Sequence, residues 1–380
     1  MIEKIREKTS SRQFRYAATA LVVVLAAVGA FFVKQAADHH TYSSYVIERA
    51  EEKSDSVSRY AYVNGCVLRY STDGAALLKK DLTAAWNVTY SMLDPRIDVC
   101  GDHILLYDRL GTDFYIFNAK EQISSFTAAN PILEARISGK DTVAALLKSG
   151  ERVGFSYYAS DGQLIASGES GMEDPGYPIA LAVSDDGISV AVSYLTAADG
   201  QTGSLIRFYR FDSAGSASEN NMTGEDRYQG IFAPDVQYLN GSECVVFRDN
   251  GFTVYKGRRS PEVSKSVDFD EEIVSTFHDG HHMGFLFRSE DKGHQFEMRI
   301  YTTNGNLVST SYVDRTYERV HVCGDEVVFS SNSDFSIYSM SGFCRFSGKV
   351  QGGSVSDVLR IGSDRFLAMT DFNMEVIRLK

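Results

Sequence analysis

One unit recurs along this chain and sets most of what it can fold into. A short apolar run meets a turn containing Gly or Asp and continues into a hydrophobic strand. The copies are IDVCGDHILLY, ARISGKDTVAALL, LAVSDDGISVAVS, QYLNGSECVVF, STFHDGHHMGFLF, VHVCGDEVVFS and LRIGSDRFLAM. Their turns fall at Gly101, Gly139, Asp186, Gly241, Gly280, Gly324 and Gly362, at intervals of 38 to 55 residues. Each copy is followed by further short alternating runs, such as DFYIF and FSIYS, bounded by Gly, Asp, Asn or Ser. Runs of that length and alternation are strands. A repeat of about 40–50 residues carrying four strands is the period of a propeller blade. A single four-stranded sheet cannot bury both faces, but sheets packed face to face around an axis share that burial.

The two chain ends carry incomplete units. VSDVLRIGSDRFLAMTDFNMEVIRLK supplies three strands, and YVNGCVLRYSTDGAALLKKDL reads as the outer part of a blade. Joining them predicts an all-β, seven-bladed β-propeller over residues 60–380, closed by both ends of the chain, with an eight-bladed ring as the alternative. Plentiful Gly (31), scarce Pro (6) and abundant Tyr and Phe agree with strands and turns.

Ahead of the repeats the chain has a different character. Residues 1–16 form a basic tail with a balance of +3, leaving −15 on the remainder of a chain whose net charge is −12. Residues 17–33, AATALVVVLAAVGAFFV, hold no charge. As a helix they would extend about 26 Å, close to the ~30 Å hydrocarbon layer. The apolar run continues past the small residues Val28 and Ala30, which favours an uncleaved signal-anchor helix over a cleaved signal peptide. The expectation is one N-terminal transmembrane helix in the cell membrane, with the basic N-terminus cytoplasmic and the bulk of the chain extracytoplasmic. Residues 34–59 read as a juxtamembrane stalk with a short helix over 42–53. The acidic balance argues against a nucleic-acid partner.

The anchor run and the blades with STDGAALL (Ser71–Leu78) and ASDGQLIAS (Ala159–Ser167) turns resemble the membrane-anchored propeller proteins of Gram-positive bacteria, a domain-of-unknown-function family. More distantly, the same turns are similar to those of quinoprotein-like, WD40-like and outer-membrane-assembly propellers. The chain departs from these repeats in having Trp86 as its only Trp and no Trp-Asp dipeptide, so the paired Gly-His and Trp-Asp signature of WD40 repeats is missing. The resemblance implies an extracytoplasmic propeller and carries over no catalytic residue.

Chemistry-bearing motifs are few. There is no HExxH, GxSxG, GxxxxGK[ST] or CxxC, and neither catalytic residues nor a cofactor is expected. The five cysteines (Cys66, Cys100, Cys244, Cys323 and Cys344) are widely spaced and read as small buried hydrophobes. His278, His281 and His282, with His294 and Asp279 nearby, are weak metal candidates at a turn where solvated histidines are the ordinary occurrence. The acidic run Asp268, Asp270, Glu271 and Glu272 lacks the spacing of a calcium loop.

The candidate binding face comes from blade geometry. Connections from the fourth strand to the next first strand, and from second to third, share one side of a propeller. Placed there are Trp86, Tyr90, Asp94, Asp174, Tyr177, Tyr228, Phe232, Asp235, Asp270, Asp314 and Tyr317. Aromatics interspersed with acids suit a protein partner or an envelope glycan or peptide. The expected function is a membrane-anchored binding or scaffold module. The alternative is an envelope polysaccharide hydrolase or lyase, which requires carboxylates converging on the axis; an axis of apolar and small residues would favour the scaffold.

Overall fold

The computed structural model describes residues 16–26, 29, 39–53, 58–170, 175–198, 200–213, 215–291, 293–314, 317–351 and 353–380. Residues 45–380 build eight four-stranded antiparallel sheets. Blade 1 consists of Arg59–Val63, Cys66–Tyr70, Gly74–Leu78 and Ala84–Thr89. Blades 2 to 7 follow in chain order over 95–127, 132–169, 177–229, 235–268, 273–313 and 319–349. Blade 8 takes Val355–Arg360, Arg365–Thr370 and Asn373–Leu379 from the C-terminus and its outer strand, Tyr45–Glu52, from the N-terminal side.

The ring therefore has eight blades where seven were expected. All seven repeat units are the first-to-second-strand hairpins of blades 2 to 8. The missing eighth is YAYVNGCVLRY: Arg59–Val63 pairs with Cys66–Tyr70 around Asn64-Gly65, both at positive φ. Asn-Gly is the residue pair such a tight hairpin prefers, because both positions need φ > 0. This segment is thus a complete inner hairpin rather than a blade's outer part.

Closure by both chain ends does occur, but through Tyr45–Glu52, which the sequence reading assigned to a helical stalk. This strand pairs with Asn373–Leu379 from Tyr45↔Leu379 to Glu52↔Asn373, with a bulge between Ile47 and Arg49. An outermost strand buries little, so YVIERAEE lacks the alternation that marks inner strands. Only Tyr45 is buried, packed against Phe335 and Phe346 of blade 7. Its hydroxyl also accepts a hydrogen bond from the Gln351 N–H (2.8 Å).

No helix among the described residues is long and apolar enough to cross a membrane, where the sequence led to one over 17–33. Helix is described at 16–26, and much of the remainder of 17–33 lies outside the described residues.

The buried clusters lie between blades. Tyr107, Phe114 and Ile116 of blade 2 pack with Ala135, Val143 and Tyr158 of blade 3. Phe277 and Ile300 of blade 6 pack with Val327 and Tyr338 of blade 7. The largest cluster joins three blades: Val328 and Phe335 of blade 7, Leu359 and Phe366 of blade 8, and Val67 and Leu78 of blade 1. Its continuity across the chain ends makes the ring one core without an exposed terminal sheet. Blades 1 to 7 also share a bulge where the third strand meets the fourth, between Leu77 and Leu78 in blade 1 and between Ile337 and Tyr338 in blade 7. A bulge adds twist to the outer strand at that point.

Candidate binding face and axial cavity

Because consecutive strands are antiparallel, the ring has two unlike faces. The loop face carries the fourth-to-first and second-to-third connections, and the turn face carries the others. The N-terminal segment reaches the ring at the turn face. There the Tyr42 N–H donates to the Arg345 carbonyl (2.7 Å) and the Ser43 N–H to the Lys380 carbonyl (2.8 Å).

Several predicted residues do lie at the loop face. Asp94 stands in the connection between blades 1 and 2, accepting hydrogen bonds from Arg59 (3.4 Å) and Arg96 (3.1 Å), with Arg109 at 3.6 Å. Burial pushes its carboxyl up, but Arg96 and Arg59 outweigh that and hold it below the usual carboxylate range. Phe232 is exposed before blade 5, and Tyr177 is exposed opposite Leu195 at the start of blade 4. Asp270 is exposed after blade 5. Asp314 is exposed and pairs with the His294 imidazole, whose ring stacks on Tyr312 (4.6 Å between centroids). Asp174 lies outside the described residues.

Four of the predicted aromatics are packing groups instead. Trp86 belongs to the outer strand of blade 1, stacks on Phe117 at 4.4 Å and donates its indole N–H to the Asn118 carbonyl (2.9 Å). The single tryptophan thus docks blade 1 onto blade 2. Tyr90 is buried, with its hydroxyl on the Gly74 carbonyl (2.9 Å). Tyr228 sits on the outer strand of blade 4, hydrogen-bonded to Tyr255 of blade 5. Tyr317 packs edge-on against Phe296 and Phe329, between blades 6 and 7. Three of these positions lie on or just beyond outer strands that extend further than the loop boundaries read from sequence.

Exposed apolar groups that the sequence reading did not single out complete the loop face. Leu93 is 91% exposed, Phe372 69% and Leu110 60%. Leu93 and Leu110 are neighbours, since the Leu93 N–H donates to the Asp108 carboxylate and Asp108 directly precedes Arg109-Leu110. Leu110 adopts φ +66°, a left-handed backbone unfavourable for a bulky side chain. Its N–H is held by the Ile132 carbonyl (2.7 Å). Among the described residues of the turn-face connections, Phe343 is the exposed large apolar side chain, and the His39 ring lies 3.8 Å from it.

At the axis the eight first strands form the channel wall, and its turn-face end widens into a cavity of about 520 Å³. Asp98, Arg136, Asp185, Gln237, His278 and Asp279 line it, from five consecutive blades. The Arg136 guanidinium is 2.8 Å from Glu134, 3.4 Å from Asp98 and 3.4 Å from the Leu181 carbonyl. The other Asp98 oxygen accepts the Ile137 N–H (2.7 Å). Burial, with Asp235 and Asp98 adding to it, pushes the Glu134 carboxyl up to about 7 against the opposing charge of Arg136. Burial holds the His278 imidazole below its ordinary value. The cavity wall is mixed, with Val99, Ile137, Ala182 and Val183 beside the charged groups, rather than the apolar and small lining that would have favoured the scaffold. Carboxylates do gather at the axis, but Asp98 and Glu134 share one arginine.

Of this group Asp235, His278 and Asp279 stood out in the sequence. The available signal was the polar residue two to four positions ahead of each repeat's turn: Asp98, Arg136, Gln237 and His278. The described residues contain no metal-holding group of three or more His, Cys, Asp or Glu. His278 faces the cavity, His281 is exposed at its rim, and His282 turns back to Asp279 (3.4 Å). All five cysteines are free; Cys244 and Cys323 are buried as expected, Cys66 and Cys100 are half-buried, and Cys344 is exposed. The Cys100 thiol donates to Asp185 (3.1 Å), and burial with that contact pushes it up to about 12.

Eight blades, inter-blade cores and a central channel define an all-β, eight-bladed β-propeller. Solved structures share this architecture. BamB from Moraxella catarrhalis is 11% identical, with a TM-score of 0.52 over 88% of this chain and 100% of that one. Sqt1 from Chaetomium thermophilum is 12% identical (TM-score 0.54, 89% and 97%), and Sqt1 from Saccharomyces cerevisiae is 13% identical (TM-score 0.53, 90% and 100%). At such identities the likeness shows the fold alone. No curated protein matches the sequence. Residues 38–379 match a family of unknown function, DUF5711, and the chain belongs to that family.

Proposed function

We propose that this propeller is a binding scaffold whose loop face docks a protein partner. The observation that carries this reading is the asymmetry of exposed apolar groups. Leu93, Leu110, Phe232 and Phe372 stand out from loop-face connections, against Phe343 in the turn-face connections; Leu164, Val263 and Leu307 are exposed on outer strands. Exposed apolar side chains rimmed by charges such as Asp94, Arg109 and Asp270 are the composition of a protein-binding patch. The strained Leu110 supports the same reading, because strain of that kind tends to persist where function requires it.

An extracytoplasmic position at the cell membrane, with a cytoplasmic N-terminus, is part of the proposal. It rests on sequence alone: the +3 balance of residues 1–16 and the charge-free run 17–33.

The test is photo-crosslinking in native cells from a reactive residue at Leu93, with and without Leu110→Asp and Phe372→Ser. A discrete protein adduct, lost in the double variant and retained with Phe343→Ser, is expected. The same adducts in the double variant would refute the reading, and a glycan adduct would reassign the partner's class. Protease added to intact cells should digest the propeller; digestion only after lysis would overturn the proposed location.

A further inference from the structure

The axial cavity presents an excess of acceptors. Asp98, Asp185 and Asp279 line it, with Glu134 and Asp235 near Arg136 on the same wall. The one arginine among its lining residues, Arg136, is already spent on Glu134, Asp98 and the Leu181 carbonyl. Asp279 accepts the backbone N–H groups of His281 and His282 on one oxygen (2.6 Å each) and has the His282 ring nitrogen 3.4 Å from the other, so its charge is oriented, and no Lys or Arg pairs with it among the described residues. Asp185 receives only the weak thiol donor of Cys100, and among the described residues no cation pairs with it.

A second observation is independent of these carboxylates. The His278 ring lies 5.8 Å from Phe247, and neither of its nitrogens has a hydrogen-bond partner among the described residues. A cavity of about 520 Å³ lined by a half-buried imidazole with no protein hydrogen-bond partner is the size and character of a small-ligand site. A metal does not suit it, because the carboxylates and imidazole form no ligand group of the required closeness among the described residues. Oriented acceptors around a planar arginine instead suit a second cation with several N–H donors.

We propose that the turn-face end of the channel binds a guanidinium-bearing cation, with Asp185 and Asp279 taking its N–H groups and His278 accepting one more. The site is on the face opposite the docking patch and does not depend on that reading. The guanidinium can belong to a free small molecule or to an arginine side chain of a peptide entering the mouth. The chemistry is the same, and the probes separate the two sources.

The experiment is titration calorimetry of the full chain with agmatine and, separately, with a blocked Gly-Arg-Gly peptide. Saturable one-to-one binding of at least one probe is expected, weakened about tenfold or more in Asp185→Asn and in His278→Gln. Binding of agmatine alone assigns a free metabolite, and tighter binding of the peptide assigns a polypeptide. No saturable heat from either probe up to about 10 mM, or equal affinity in Asp185→Asn, overturns the proposal. Asp185 is exposed, so its variant keeps the fold, and a melting curve checks this. Should His278→Gln unfold, Asp185→Asn decides alone.

Discussion

Replacing Glu134 with glutamine isolates the electrostatic cost of the hub. Glu134 lies on the first strand of blade 3, 2.8 Å from Arg136, which Asp98 also engages. Burial raises its carboxyl from 4.5 to about 7. Between those values the folded chain keeps a proton that the unfolded chain has released. Stability from this group is therefore complete below about pH 4.5 and is lost as pH rises through about 7. At 1.36 kcal/mol per unit, the loss amounts to about 3 kcal/mol. Glutamine is neutral throughout, so Glu134→Gln should match the parent chain near pH 4.5. It should gain on the parent by up to about 3 kcal/mol by pH 8. Urea unfolding followed by Trp86 fluorescence, at matched pH values, gives the difference; groups common to both chains cancel. A difference that stays flat with pH would refute the reasoning. A difference running the other way would show that Arg136 outweighs burial.

Two further substitutions probe the joints between and within blades. Glu326 is 1% exposed and pairs with Arg345 of its own blade and Arg360 of blade 8 (3.1 Å from its Nε). Glu326→Ala leaves those guanidinium groups without their shared carboxylate and should cost about 3–5 kcal/mol in urea unfolding; a loss below ~1 kcal/mol would contradict the pairing. Gly284 lies beneath the Phe277 ring, so the methyl of Gly284→Ala would collide with a buried aromatic. A loss of about 1–3 kcal/mol is expected by the same assay, and an unchanged midpoint would mean that the ring does not cover this position.

The inner hairpins were legible in sequence because their strands are buried on both sides and punctuated by turns that need Gly, Asp or Asn. Residues such as Ile104-Leu105-Leu106 carry that signal plainly. The outer strand Tyr45–Glu52 was not legible, since mixed charges on a half-solvated edge give neither a helical nor a strand period. Once that strand was read as a stalk, Arg59–Val63 lost its place as an inner strand and the count fell by one. Asp94, Tyr177 and Phe232 lie on the side of the ring to which strand order assigns them. Trp86, Tyr90, Tyr228 and Tyr317 were misplaced because an aromatic near a strand end packs against the neighbouring blade as readily as it faces solvent. The axial group was not assembled from the sequence because its members stand far apart in the chain and meet only when the ring closes.

Ring closure by the N-terminal strand is tested most directly by a disulfide across it. Ala50 and Glu375 are paired residues in adjacent antiparallel strands. Such partners have Cα atoms about 4.5–5.5 Å apart, within bridging range. In a chain carrying Ala50→Cys and Glu375→Cys, mild oxidation should yield the linked peptide pair by mass mapping at near-complete occupancy. Free thiols at both positions under the same conditions would mean that residues 45–52 do not complete the eighth blade.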